Sequence, residues 1–232
     1  MYKIELHAHT KPVSGCGQLS PRELIEAYHE VGYSGIVITN HFIDEYFKKD
    51  AEGFLKYYMN AYHECEEEAA KYGMKIYWGA EFRFSAYIQD FLVYGVDESL
   101  LRKMIGAFNY SFSDFHKLVN ENGGLFVQAH PFRHSTLTIP ATDLDGIEIY
   151  NMHSGHSSHN PAAKTLREEF KIPYATSGSD CHEYCHVGRG GIISEYLPEN
   201  NSELCELIKS GNYEFIHNYD FNYVEVGKVF KK

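Results

Sequence analysis

The chain has 232 residues, with 21 Lys and Arg against 32 Asp and Glu, a formal charge of -11 with its 14 His counted neutral. That length fits one α/β barrel or two modest domains, and no Pro/Gly/Ser-rich or charge-rich stretch divides it, so a single domain over 1–232 is expected. An acidic field repels polyanions and argues against an extended nucleic-acid footprint, although bound cations could reverse the sign locally for a small phosphate ester. No uncharged apolar run of about 18 residues is present and charge and His follow Met1 closely, so neither a membrane span nor a signal peptide is expected. The 5 Cys are an odd number in a chain able to build its own core; reduced thiols in a cytoplasm are the expectation.

In chain order, Lys3 to His9 alternates as a short strand. Ser20-Pro21-Arg22-Glu23 then writes a helix start twice, as a Pro at the first helical position and as a capping box, and Gly32 marks the end. Gly35-Ile36-Val37-Ile38-Thr39 is a β-branched run of the kind buried on both faces of a parallel sheet. A long polar helix is predicted from about Asp50 to Tyr72, stopped by Gly73, then strands at Lys75 to Ala80 and Phe91 to Tyr94. Helices near Glu98 to Ile105 and Asp114 to Asn122 precede strands at Leu125 to Gln128 and Gly146 to Tyr150. Asn160 is the expected cap of a helix from Pro161 to Phe170. Tyr174 to Ser177 and Gly191 to Ile193 read as the last inner strands. The region 192–232 holds a helix from about Ser202 to Lys209 and edge segments at Tyr213 to His217 and Tyr223 to Val229. Strands alternating with helices predict a parallel sheet with helical cover, closed as a barrel or open and doubly wound. No glycine-rich dinucleotide or P-loop motif supports the open form.

The ligand-type residues fall at strand ends. His7 and His9 close the first strand, His41 follows the second and Glu81 the third. His130 follows Leu125 to Ala129, Glu148 lies within Gly146 to Tyr150, and Asp180-Cys181-His182 follows the strand at Tyr174. In a barrel of parallel strands these ends emerge on one rim, which would assemble a multinuclear metal site. Residues i and i+2 of an extended segment face the same way, so His7 and His9 can chelate one ion. A carboxylate bridging two cations about 3.5 to 4 Å apart would suit Glu81 or Asp180. Mixed imidazole and carboxylate donors favour Zn, Mn or Fe over Mg or Ca. His153, His156 and His159 recur every third residue but sit among Gly155 and serines, and read as a loop rather than a ligand set. No Cys or Ser nucleophile is indicated.

Together these motifs resemble the PHP family, the polymerase and histidinol phosphatase superfamily of metal-dependent phosphoesterases. The resemblance runs over 5–191, from Glu5-Leu6-His7-Ala8-His9-Thr10 through Thr39-Asn40-His41, Gly79-Ala80-Glu81 and Ala129-His130-Pro131 to Gly178-Ser179-Asp180-Cys181-His182 and Val187-Gly188-Arg189. It implies an α/β fold, a distorted TIM-like barrel of seven β/α units with two or three divalent transition metal ions at the C-terminal rim. By resemblance, His7, His9, Glu81 and Asp180 surround one ion, Glu81 reaches a second bound by His130, and a third lies between His41 and His182. Cys16 stands where an Asp or His often follows the first motif, and a thiolate there could complete the third site. Asp90 stands where a His commonly precedes the fourth strand. Asn40 replaces a more usual Asp and is expected to touch only ligands, not metal.

The expected activity is hydrolysis of a small phosphomonoester of the histidinol phosphate kind by metal-activated water, with no protein nucleophile. Arg133 and Arg189 are the candidate phosphate clamps, and His186 the candidate general acid. A nuclease or a nucleoside 3',5'-bisphosphate phosphatase is the alternative, and a non-catalytic metal-bound regulatory module a more distant one. Oligomeric state is not encoded in any motif.

Overall fold

The structure, a computed structural model, describes residues 1–133 and 141–223. Among them are ten strands and seven helices: β1 (Tyr2–Ala8), α1 (Pro21–Glu30), β2 (Tyr33–Ile38), β3 (His41–Ile43), α2 (Asp44–Phe47), α3 (Ala51–Ala70), β4 (Lys75–Arg83), β5 (Asp90–Tyr94), α4 (Glu98–Ile105), α5 (Phe112–Glu121), β6 (Leu125–Gln128), β7 (Gly146–Asn151), α6 (Asn160–Phe170), β8 (Tyr174–Gly178), β9 (Gly190–Ser194), α7 (Asn201–Ser210) and β10 (Glu214–His217). The strands pair in the order β10-β9-β1-β2-β4-β5-β6-β7-β8, with β3 beside the far end of β4. Past β8 the chain returns to β1: the His9 amide donates to the Cys181 carbonyl at 2.9 Å and the Cys181 amide to the His7 carbonyl at 3.1 Å. These bonds tie the β8 end of the sheet back to β1, and the result is a distorted, nearly closed α/β barrel of the predicted class.

Local chemistry accounts for the helix boundaries. Ser20 caps α1, with Glu23 returning a bond to the cap amide, and Gly211 ends α7 in the left-handed region. Asp50 caps α3, whose buried Tyr58 and Tyr62 are one turn apart on one face. Their hydroxyls donate to the Asn40 and Gly79 carbonyls, each at 2.5 Å, so α3 braces the end of β2 and the middle of β4 from outside the barrel. Phenylalanines fill the layer behind β4 and β5, with the Phe82 ring 4.2 Å from Phe115 and 5.1 Å from Phe108.

Three local expectations change. β5 runs antiparallel to both β4 and β6, so its first residue, not its last, lies at the rim. β9 and β10 are antiparallel additions beyond β1. Asn160 is the first residue of α6 rather than its cap: His159, in the left-handed region, occupies that place. The Asn160 amide instead holds Asn151, accepting from its backbone N–H and donating to its carbonyl, both at 3.0 Å. Of the last expected edge segment, residues 224–229 lie outside the described residues.

Candidate metal centre

The rim is assembled by register. His7 lies in β1 and His9 just beyond it, both fully buried. On β3 and β4, His41 is the direct partner of Glu81, which lays their side chains together. Because β5 is reversed, Asp90 is the partner of Arg83 at the same end of the barrel. His130 and Asp180 leave their strands at φ 24° and 49°, a left-handed backbone that non-glycine residues rarely adopt and that clusters at functional sites. Gly178 lets β8 approach: a Cβ there would sit 2.4 Å from the His7 Cβ and 2.9 Å from Glu148 Oε1.

Seven donors converge. His7 Nε2 lies 3.4 Å from Glu81 Oε1 and 3.3 Å from Asp180 Oδ1. His9 Nε2 is 3.3 Å from Glu81 Oε2 and 3.3 Å from Asp180 Oδ1. His41 Nδ1 is 2.8 Å from Glu81 Oε2, His130 Nε2 is 2.9 Å from Glu81 Oε1, and His182 Nδ1 is 3.3 Å from Asp180 Oδ1. Buried polar atoms are ordinarily hydrogen-bonded. Here His7 Nε2, His9 Nε2, His41 Nδ1, Glu81 Oε2 and Asp180 Oδ1 are buried without a hydrogen bond, all facing one another. Donor atoms of His7, His9 and Glu81 lie within 4.8 Å of one another, as do those of His7, His130 and Asp180, and those of His9, His41 and His182. Divalent cations shared among these trios would satisfy the orphaned atoms, and the N/O donor set fits Zn, Mn or Fe.

The surrounding hydrogen bonds fix which imidazole nitrogen carries a lone pair. His7 Nδ1–H donates to Glu148 Oε1 at 2.9 Å, leaving Nε2 for the cluster. Ser14 Oγ donates to Asn40 Oδ1 at 3.0 Å and so must accept from His9 Nδ1–H at 3.1 Å, which again frees Nε2. His182 Nδ1–H donates to the Asp180 carbonyl at 2.8 Å, with the same outcome. Three histidines from separate parts of the rim thus present unprotonated Nε2 atoms when neutral.

Electrostatics follow from the packing. Burial pushes His7 down, but the carboxylates of Asp180, Glu148 and Glu81 more than offset it and hold the ring well above its usual value. Burial also opposes the charged form of His41, which Glu81 and Cys16 reverse upward. Burial and the neighbouring His182 hold His9 well below its usual value. Burial would raise Glu81 and Asp180; His41 and His7 hold Glu81 well below the carboxylate range, and His7 and Arg133 do so for Asp180. Beneath the rim, burial raises Glu5 to about 7 although it accepts from the Leu6, His7 and Ser179 amides and the Tyr28 hydroxyl.

The family model of the PHP domain matches residues 5–226. The chain belongs to the PHP domain family. Solved structures share the fold of this PHP domain at low identity. A two-domain protein of Bacteroides vulgatus containing a predicted PHP-like metal-dependent phosphoesterase is 16% identical with a TM-score of 0.63, over 94% of this chain and 65% of that one. An amidohydrolase of Chromobacterium violaceum, with bound sulfate and no metal, is 18% identical with a TM-score of 0.60, over 91% of this chain and 97% of that one. The lesion-specific endonuclease EndoQ of Pyrococcus furiosus is 15% identical with a TM-score of 0.56, over 92% and 57%. A comparison with curated proteins returns no significant match.

The PHP domain brings the seven principal candidates into one cup and disposes of the others unequally. Cys16, Asp90, Arg133 and His186 line a cavity of about 310 Å³ above the cluster. Partial burial raises the Cys16 thiol, but His182 and His41 beside it bring it down to about 6, a thiolate beside the expected third site. Asp90 is held bidentately by Arg83, at 2.7 and 2.8 Å, and its Oδ2 is 3.9 Å from His130 Nε2; the guanidinium already takes both oxygens. Arg133, with a side chain 9% exposed, bonds Asp180 Oδ2 at 2.5 Å and Asn151 Oδ1 at 2.6 Å, while its Nε is buried without a partner.

Arg189 is not in the cup. Its guanidinium donates to three backbone carbonyls, of Met152, Phe221 and Tyr219, and clasps the C-terminal segment. His186 is a poor acid: its Nδ1 accepts the His182 amide at 3.2 Å, and burial brings it down to about 4, so at neutral pH the ring is the uncharged imidazole rather than the imidazolium a general acid needs. The Asn40 side chain binds the Thr10 amide and hydroxyl and the Ser14 hydroxyl, supporting His9 through Ser14, while its carbonyl accepts from the Glu81 amide at 3.0 Å. Glu148, read with the strand-end ligand types, supports His7 rather than joining the cluster, and sequence reasoning misses His153, which reads as loop yet walls the cavity. The strand-end rule could have found His153, two residues past the end of β7.

Proposed function

We propose that this PHP domain is a metal-dependent phosphoesterase acting on small phosphomonoesters, with His7, His9, His41, Glu81, His130, Asp180 and His182 holding two or three divalent transition metal ions. The observation that carries this reading is the set of five orphaned donor atoms facing one another at the floor of the cavity. Ions held there supply Lewis-acid neutralisation of phosphate charge and an activated water. The chain's own residues do the remainder. Glu148, Ser14 and the Asp180 carbonyl hold three imidazoles in the ligating tautomer. Arg133, anchored on Asp180 and Asn151, keeps a buried N–H for an incoming oxygen. The β-barrel wall excludes bulk water beneath the cluster, strengthening each electrostatic contact.

Substrate size follows from the cup. A cavity of about 310 Å³ is at the small end of ligand pockets, and a protein of charge -11 gives little attraction to polymeric DNA. A second depression of about 480 Å³ shares His153 and His156 with the first. It would admit a longer ligand, which favours a nucleoside 3',5'-bisphosphate as the second reading. Phosphate release from Mn-, Zn- or Fe-reconstituted protein separates the two. Turnover of histidinol phosphate and simple monoesters well above that of nucleoside bisphosphates supports the first reading. The reverse order selects the second, and nicking of DNA with no monoester turnover overturns both.

A further inference from the structure

His153 and His186 belong to no role assigned so far, yet they stand at the mouth of the cup. His153 follows β7 and His186 ends a short turn at Tyr184–His186; their ring centroids are 3.9 Å apart, and His153 is 5.4 Å from His182. Donor atoms of His153, His182 and His186 lie within 4.8 Å of one another, which by distance alone describes another metal trio.

We infer that His153 and His186 are not metal ligands but a pair of neutral N–H donors that bind the oxygens of the substrate's phosphoryl group. The hydrogen bonds decide this. The Gly155 amide donates to His153 Nδ1 at 3.1 Å, and the His182 amide donates to His186 Nδ1 at 3.2 Å. A ring nitrogen that accepts an N–H carries no proton, so each neutral ring holds its proton on Nε2. Neither nitrogen then has a lone pair to give an ion: one is taken by an amide, the other is protonated. His182 is the opposite case, because its Nδ1–H donates to a carbonyl and its Nε2 lone pair is left over. The trio is therefore one ligand and two donors. His186 Nε2 is 3.7 Å from Glu183 Oε1, beyond hydrogen-bond reach, so that carboxylate does not satisfy the donor. Both rings line the cavity together with Arg133. Oxygens of a phosphoryl group seated on the floor ligands need donors on the wall above. Uncharged imidazoles provide them without repelling the cations below.

This inference rests on the phosphoester reading, and the test separates the two. Metal content by elemental analysis and inorganic phosphate binding by calorimetry are measured on Mn-loaded wild type, His153→Leu, His186→Leu, His153→Gln and His186→Gln. The Leu variants are expected to keep the full metal complement and bind phosphate about five- to tenfold more weakly, as for one neutral hydrogen bond. The Gln variants, whose side-chain amide restores an N–H near the Nε2 position, are expected to stay within about threefold of wild type. Loss of a metal equivalent in either Leu variant, or phosphate affinity equal to a wild type that binds it, overturns the inference alone. A wild type that is metal-loaded and binds no phosphate overturns the phosphoester reading with it. Should a Leu variant not fold, long-range ¹H–¹⁵N spectra of Zn-loaded wild type read the tautomers directly: protonated Nε2 on both rings supports the assignment, and Nε2 bound to zinc refutes it.

Discussion

Glu148 accepts three hydrogen bonds, from His7 Nδ1, the His130 amide and the Asn151 side chain, each at 2.9 Å. One buried carboxylate thereby orients the ring of His7, the backbone of His130 and the residue that anchors Arg133. Glu148→Gln keeps the shape but weakens the acceptor and offers an amide that can point the wrong way. The variant is expected to fold and to bind its tightest ion about 10- to 100-fold more weakly, as read by chelator competition. Unchanged affinity would place Glu148 outside the metal centre. Much at this scale was legible: ligand-type side chains at the ends of β-branched runs are conspicuous, and His-x-His carries its own geometry. The fates of Arg189, His186 and His153 were not, because each depends on the path of a loop. A guanidinium at the start of a strand can face the cup or clasp carbonyls, and nothing in Val187-Gly188-Arg189 says which.

Elements explain how distant residues reach the rim. The reversal of β5 presents Asp90 there, and a signal for it existed: only residues 84–89 separate β4 from β5, too few for the crossover of a dozen or more that parallel strands need. It was hidden because β4 runs three residues past the apolar segment that marks it, to Arg83, where β3 pairs with it. At the β8–β9 junction the two backbones pass close together. A Cβ on Gly190 would meet Gly178 C at 2.2 Å and Ser179 N at 2.4 Å, backbone atoms that cannot swing aside. Gly190→Ala is expected to lower the unfolding free energy by about 3 kcal/mol or more, measured by denaturant titration. A loss below about 0.5 kcal/mol would show that the junction can relax as ordinary surface does.

For the whole molecule, the cluster is expected to make stability depend on pH and on metal together. In chelated protein, His7, His41 and His182 have folded pKa values raised above the usual 6.5. Their contribution is fully present below 6.5 and is lost as pH rises through the folded values. Cys16, lowered from 9.0 to about 6, has the opposite sign, adding stability as pH rises between those limits. One group against three leaves a net loss. Below 6.5, His9, His153 and His186, all lowered, take up protons on unfolding and weaken the fold as pH falls. Chelated protein is thus expected to melt highest near pH 6.5 and lower toward pH 8.5. Metal-loaded protein should gain stability over that range, because ions displace the protons of His7 and His41. Calorimetric melting with chelator and with excess Mn tests this, and a chelated Tm that climbs from pH 6.5 to 8.5 would contradict it.

That coupling presupposes ions in the cup, so the most direct measurement is the metal content of wild type beside His9→Ala. The variant removes an orphaned nitrogen that faces both Glu81 and Asp180 and opens the chelate with His7. Elemental analysis after reconstitution with Mn, Zn or Fe and removal of free ions is expected to give about two to three equivalents per chain for wild type. The folded variant is expected to hold at least one fewer. Wild type retaining less than one equivalent with every metal, or a folded His9→Ala with the wild-type complement, would contradict the assignment of this cup as a metal centre.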